Sequence, residues 1–84
     1  MNSVFYTRKA AKQLRKIQPQ DSVIIRKACD RLAEMPQCSN VIALTKHEYG
    51  YRLRVGNYRV LFNYDEGIEI VSIEEVKKRD ERTY

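Results

Sequence analysis

No apolar run in this sequence approaches the ~20 residues that a bilayer-spanning helix needs, so a membrane protein is not expected. The start, Met1-Asn2-Ser3-Val4-Phe5-Tyr6-Thr7-Arg8, lacks the basic-then-apolar pattern of a secretory signal, and a cytoplasmic location is expected. There are two cysteines, Cys29 and Cys38, too few and too irregularly placed for a disulfide framework or a metal knuckle. Reduced, structural thiols are the reading that remains. Also missing are a glycine-rich phosphate loop, a paired-carboxylate motif, a Cys/His cluster at metal spacing and any Ser/His/Asp set with meaningful spacing. A metal or nucleotide cofactor has no evident home, and none is expected.

What is present suits a small globular domain. The 84 residues are 43% hydrophobic and 32% charged, which argues against disorder and for one domain, residues 1–84, with one modest core. The net charge of +5 and the pI near 9.4 point to an acidic partner, nucleic acid being the commonest. That excess lies in the N-terminal half. Residues 1–50 hold nine Lys/Arg against four Asp/Glu, whereas residues 51–84 hold seven of each.

Ser3 to Thr7 contains Val4, Phe5 and Tyr6 and reads as a short first strand. Thr7 is placed to cap a helix from Arg8 to about Ile17, with Ala10, Leu14 and Ile17 at helical spacing and Ala11 widening the stripe. Its other face is Arg8, Lys9, Lys12, Arg15 and Lys16, with no acid among them. That face is either solvated or a phosphate-contacting ridge; a purely solvating face usually mixes signs for pairing one turn apart. Gln18-Pro19-Gln20 breaks the helix, and Asp21 is placed to cap a second, antiparallel one reaching about Met35, with Ile25, Ala28, Cys29 and Leu32 on its buried stripe. After the loop Pro36 to Asn40, Val41-Ile42-Ala43-Leu44 tucks apolar residues in ahead of a polar, exposed Thr45 to Gly50. His47 and Glu48 there are candidate proton carriers, or simply a solvated pair.

The most ordered pattern is Tyr51-Arg52-Leu53-Arg54-Val55-Gly56-Asn57-Tyr58-Arg59-Val60-Leu61-Phe62-Asn63-Tyr64. Strict alternation on both sides of Gly56-Asn57 predicts a two-residue β-hairpin with a greasy face and a cationic one. In that register Val55 pairs with Tyr58, Arg54 with Arg59, Leu53 with Val60 and Arg52 with Leu61. Two opposed guanidinium groups destabilise a sheet by roughly 0.2 to 1 kcal/mol, a conflict that an anion between them removes. A second turn at Asp65-Glu66-Gly67 leads into Ile68 to Glu74. A two-residue loop there places Glu74 opposite Arg59, while a three-residue loop ending in a left-handed Gly67 places Ile73 there. The last stretch carries Lys77-Lys78-Arg79 and ends in Tyr84. It is either a solvated end or one wall of the cationic face.

The fold expected is therefore α+β: an N-terminal strand, a two-helix antiparallel hairpin packed on one face of the sheet, and a three-stranded antiparallel meander. Arginine's planar fork donates bidentate hydrogen bonds to phosphate oxygens, so several on a rigid sheet suit a phosphodiester and its pentavalent transition state. This order of elements, with the Tyr51–Phe62 hairpin and the closing Lys77-Lys78-Arg79 to Tyr84, resembles the RelE/ParE superfamily of bacterial toxin-antitoxin toxins across essentially the whole chain.

The resemblance implies a compact toxin held by a cognate antitoxin protein. In the RelE-like branch it implies a metal-independent endoribonuclease that cleaves mRNA in the ribosomal A site, with the ribosome and mRNA as partners and no small-molecule cofactor. The 2′-hydroxyl of one nucleotide attacks the adjacent phosphate. By position, Arg59, Arg79 and Tyr84 match the family's catalytic arginines and tyrosine, and Arg52 and Arg54 fall where well-studied RelE enzymes have lysines. Arginine is effectively never deprotonated, so Arg52 and Arg54 would bind phosphate, and the base is to be sought among Lys46, His47, Glu48, Lys78 and Tyr84. On a ParE-like reading the same fold inhibits DNA gyrase without hydrolytic chemistry.

Overall fold

A computed structural model describes residues 1–78. β1 (Ser3–Tyr6) leads into α1 (Arg8–Arg15) and α2 (Pro19–Asp30), then one 3-10 turn (Arg31–Glu34), β2 (Val41–Ala43), β3 (Tyr51–Val55), β4 (Tyr58–Asp65) and β5 (Ile70–Lys78). The strands form one five-stranded sheet in the order β1-β5-β4-β3-β2. β1 runs parallel to β5, and the other neighbours are antiparallel. Among the described residues no helix is long and apolar enough to cross a membrane.

The expected α+β order holds, with one strand added. Val41 to Ala43 pair antiparallel with Leu53 to Tyr51, so β2 is the free edge beside β3. Only Val41 of that segment packs against the core; Ile42 points to the opposite face and is largely exposed. The alternation of a strand, rather than a tucked loop, decides which of these apolar residues is covered.

Both helices end earlier than their apolar patterns allowed. α1 stops at Arg15, and α2 gives way at Arg31 to the 3-10 turn that carries Leu32 into the core. Thr7 is the cap expected of it: its hydroxyl accepts from the Ala10 N–H at 3.1 Å and donates to the Glu74 carbonyl at 3.3 Å, tying α1 to β5. Thr7→Ala is expected to cost ~1 kcal/mol, as lost helix caps do, read as a lower urea midpoint at unchanged slope. Asp21, in contrast, caps nothing. Gln18 is the N-cap and Pro19 the first helical residue, where a missing N–H is harmless. Asp21 therefore sits inside the first turn, its carboxylate free to accept from another element.

The core lies between the helices and one sheet face: Ala10, Leu14, Ile25, Cys29, Leu32 and Met35 against Leu53, Val55, Val60, Phe62, Val71, Ile73 and Val76. Asn2 is the buried polar residue here, and its amide donates to the carbonyls of Ala33 and Met35 at 3.1 and 3.0 Å, closing the end of the helical layer. Cys29 is fully buried, and burial pushes its thiol up to about 11. Thiolate is the reactive form, so a thiol-specific reagent at neutral pH is expected to titrate Cys38 alone in the native protein and both cysteines in denaturant; two native thiols would contradict this packing.

Candidate functional site

The hairpin forms in the register read from its alternation: Val55↔Tyr58, Arg54↔Arg59, Leu53↔Val60 and Arg52↔Leu61. Gly56, first residue of the two-residue turn, has φ +54°, the backbone state that favours glycine at this point of a hairpin. Arg52, Arg54 and Arg59 consequently share the sheet face turned away from the helices.

The partner of Arg59 on β5 is neither Glu74 nor Ile73 but Lys77. Two local features shift the register. The loop after β4 spans four residues, with Asp65 paired to Ile70, and a bulge inserts Glu74 between the pairs Phe62↔Ile73 and Leu61↔Glu75. The result is a row of three cations, Arg54–Arg59–Lys77, lying side by side on adjacent strands. No acid interrupts it.

A second row runs beside the first: Ile42–Arg52–Leu61–Glu75. Leu61 is only 5% exposed yet stands outside the core cluster, buried on the cationic face between an arginine and a carboxylate. Arg52, Arg54, Gly56, Tyr58 and Arg59 line a shallow depression of ≈ 90 Å³. The Nε of Arg52 is buried and has no hydrogen-bond partner among the described residues. Such a donor costs about 1–3 kcal/mol unless something accepts from it, and an anion's oxygen is a suitable acceptor.

Lys9 of α1 reaches the same face. Its ammonium lies 3.3 Å from Glu75, and that pairing holds its pKa above the usual lysine value, with smaller contributions from Tyr49 and Glu48. The basic face of α1 is thus not wholly free: Arg8, Lys12, Arg15 and Lys16 are exposed, whereas Lys9 is engaged. His47 accepts from the Tyr49 N–H at Nδ1 (3.0 Å), and both His47 and Glu48 are exposed in the loop before β3. Lys46 is exposed there too, with φ +53°. Lys78 pairs with Tyr58 and so belongs to the helix side of the sheet, where it lines a groove with Asp21 and Tyr58. Arg79 and Tyr84 lie outside the described residues.

The sequence names Lys77 only within a stretch that could wall the cationic face; its place opposite Arg59, the role of Glu75 and the Tyr58–Asp21 contact escaped sequence reasoning. Tyr58 donates its hydroxyl to Asp21 at 3.0 Å, which raises the tyrosine's pKa and braces the hairpin end against α2. The signal for Lys77 is visible in hindsight: apolar residues at 71 and 73 keep a period of two, and the next falls at 76, the slip of one that a bulge leaves.

Residues 4–83 match the family model of the ParE toxin of the type II toxin-antitoxin system parDE. The chain belongs to this toxin family. No curated protein matches the sequence. Among solved structures, the toxin is similar to a chain of the RelBE2 toxin-antitoxin complex of Mycobacterium tuberculosis, with 25% identity and a TM-score of 0.80 over 93% of this chain and 98% of that one. A chain of the archaeal RelE-RelB complex of Pyrococcus horikoshii gives 22% identity and 0.79 over 95% and 97%. The isolated E. coli RelE toxin gives 16% and 0.81 over 99% and 89%, a likeness of fold. The toxin thus carries the α+β fold of RelE toxins, and its cationic rows are set on that scaffold.

Proposed function

We propose that this toxin is a ribosome-dependent mRNA interferase that cleaves message in the A site by metal-independent attack of a 2′-hydroxyl on the adjacent phosphodiester, and that a cognate antitoxin protein restrains it. The observation that carries this reading is the Arg54–Arg59–Lys77 row beside Arg52, whose Nε has no partner among the described residues. Three cations side by side oppose folding. They become useful when a phosphate lies across them, and more so as negative charge builds on its equatorial oxygens in the transition state. In this reading Arg52, Arg54 and Lys77 hold the phosphate and Arg59 meets the developing charge. Arg79 and Tyr84 complete the site by their match to the family's arginine and base-orienting tyrosine. The exposed Arg8, Lys12, Arg15 and Lys16 of α1 supply a second basic surface for ribosomal RNA.

The antitoxin partner is supported by the complexes in which the similar chains occur. An extended or helical antitoxin segment laid over basic surfaces fits this charge distribution.

A second reading, inhibition of DNA gyrase, is favoured by the family match itself, which is to a ParE toxin. Induction of the toxin in a bacterial host, with primer extension on a reporter mRNA and DNA integrity followed in parallel, separates the two. The interferase reading expects message cut at codon-linked positions within minutes while DNA stays intact. DNA breaks and an SOS response with intact message would replace it with gyrase inhibition.

A further inference from the structure

We propose that Glu75 is the general base of the reaction, an inference that rests on the interferase reading. The site needs a group that takes the 2′-hydroxyl proton, and its arginines cannot do so. Glu75 is the carboxylate that the bulge sets beside the cation row. It faces Leu61 across the ladder, and it precedes Lys77 by two residues on the same face. That makes Glu75 the diagonal neighbour of Arg59, at a spacing of about 7–8 Å between backbones, within reach of a phosphodiester held on Arg59.

Its surroundings hold it in place. The two ion pairs found among the described residues both end on Glu75 Oε1, from Lys9 at 3.3 Å and Lys77 at 3.7 Å. The side chain is 12% exposed, so it is positioned and partly dried, while both lysines remain more than half exposed. Leu61 stands between Glu75 and Arg52. A sheet selected for stability alone gains by letting the arginine and the carboxylate meet; here an apolar side chain separates them. The neighbouring carboxylate, Glu74, instead accepts from the Ser72 hydroxyl of its own strand at 2.7 Å.

In the step, Glu75 accepts the 2′-hydroxyl proton as the 2′-oxygen bonds to phosphorus. The bond from phosphorus to the 5′-oxygen breaks, and that oxygen takes a proton from water. Products are a 2′,3′-cyclic phosphate and a 5′-hydroxyl, and the proton on Glu75 returns to solvent. The charged groups in contact with the carboxylate are Lys9 from α1 and Lys77 from β5, with Glu48 and Tyr49 acting on Lys9 from the loop before β3.

The test is single-turnover cleavage of a reporter mRNA on programmed ribosomes by the full chain, measured against pH for wild type, Glu75→Gln and Thr7→Ala. Glu75→Gln is expected to lose about 10²- to 10⁴-fold in rate, the range for a removed general base, to lose the acidic limb of the wild-type profile, and to keep wild-type binding to ribosomes. Thr7→Ala loosens the tie between α1 and β5 without touching the carboxylate and is expected to keep both the rate, within about tenfold, and the limb. Equal losses in the two variants, or a Glu75→Gln profile that retains the limb, would overturn the proposal by making Glu75 a structural anchor. Absence of cleavage by the wild type would overturn the interferase reading and this inference with it, whereas cleavage by wild type and Glu75→Gln alike removes only the inference.

Discussion

Arg59→Ala is expected to lower message cleavage about 10²- to 10³-fold, the loss typical of removing one donor aimed at developing charge, and to relieve growth arrest on induction. Stability is expected to hold or rise. Arg59 is exposed and sits between Arg54 and Lys77, so its removal ends two like-charge oppositions worth roughly 0.2 to 1 kcal/mol each. The opposite movement of activity and stability is the informative result. A variant that loses activity together with several degrees of thermal midpoint would show Arg59 to be structural; full toxicity would take the cation row out of the mechanism.

Phe62→Ala is expected to cost about 3–5 kcal/mol, the range for a large buried aromatic truncated to alanine. Phe62 is fully buried at the centre of β4, with its ring stacked on Tyr51 at 5.4 Å between centroids. Small domains hold only about 5–15 kcal/mol in all, so this variant is expected to be largely unfolded at 37 °C and inactive for that reason alone. Circular dichroism against temperature distinguishes it from Arg59→Ala, which is expected to be inactive yet folded. A folded Phe62→Ala protein would mean that the helical layer can close over the vacated volume.

The hairpin and its four pairs were legible because alternation on both sides of Gly56-Asn57 leaves only one register that buries Leu53, Val55, Val60 and Phe62 together. The first helix and its Thr7 cap were legible for the same kind of reason, a local rule with nothing to compete against it. Where two rules competed, the outcome was set elsewhere. The second turn offered Gly67 as the left-handed residue, but Glu69 takes that state at φ +54°, while Asp65 accepts from the Gly67 and Ile68 N–H groups at 2.9 and 3.3 Å. A carboxylate capping its own loop outweighed the glycine, and with the bulge at Glu74 it moved Lys77 to the position where Glu74 or Ile73 was expected. Asp21 likewise satisfied the rule for a helix cap, but Pro19 had already started the helix, and the tyrosine of the hairpin claimed the carboxylate. Of the candidate site, the three arginines were readable from sequence. The carboxylate and lysine beside them depend on the register between β4 and β5.

The parallel pairing of β1 with β5 has a consequence for the order in which the toxin comes into being. Ser3 to Tyr6 find their partners only at Ile70 to Ile73, so the first strand waits at the rim of an unfinished sheet until nearly all of the described chain has been made. Contacts of such long sequence separation slow folding. β5 also delivers Lys77 and Glu75, so both rows of the cationic face are completed by the same event that pairs the first strand. A nascent chain that already displays Arg52, Arg54 and Arg59 therefore still lacks the lysine and the carboxylate that stand beside them, and gains both at once when a single strand docks.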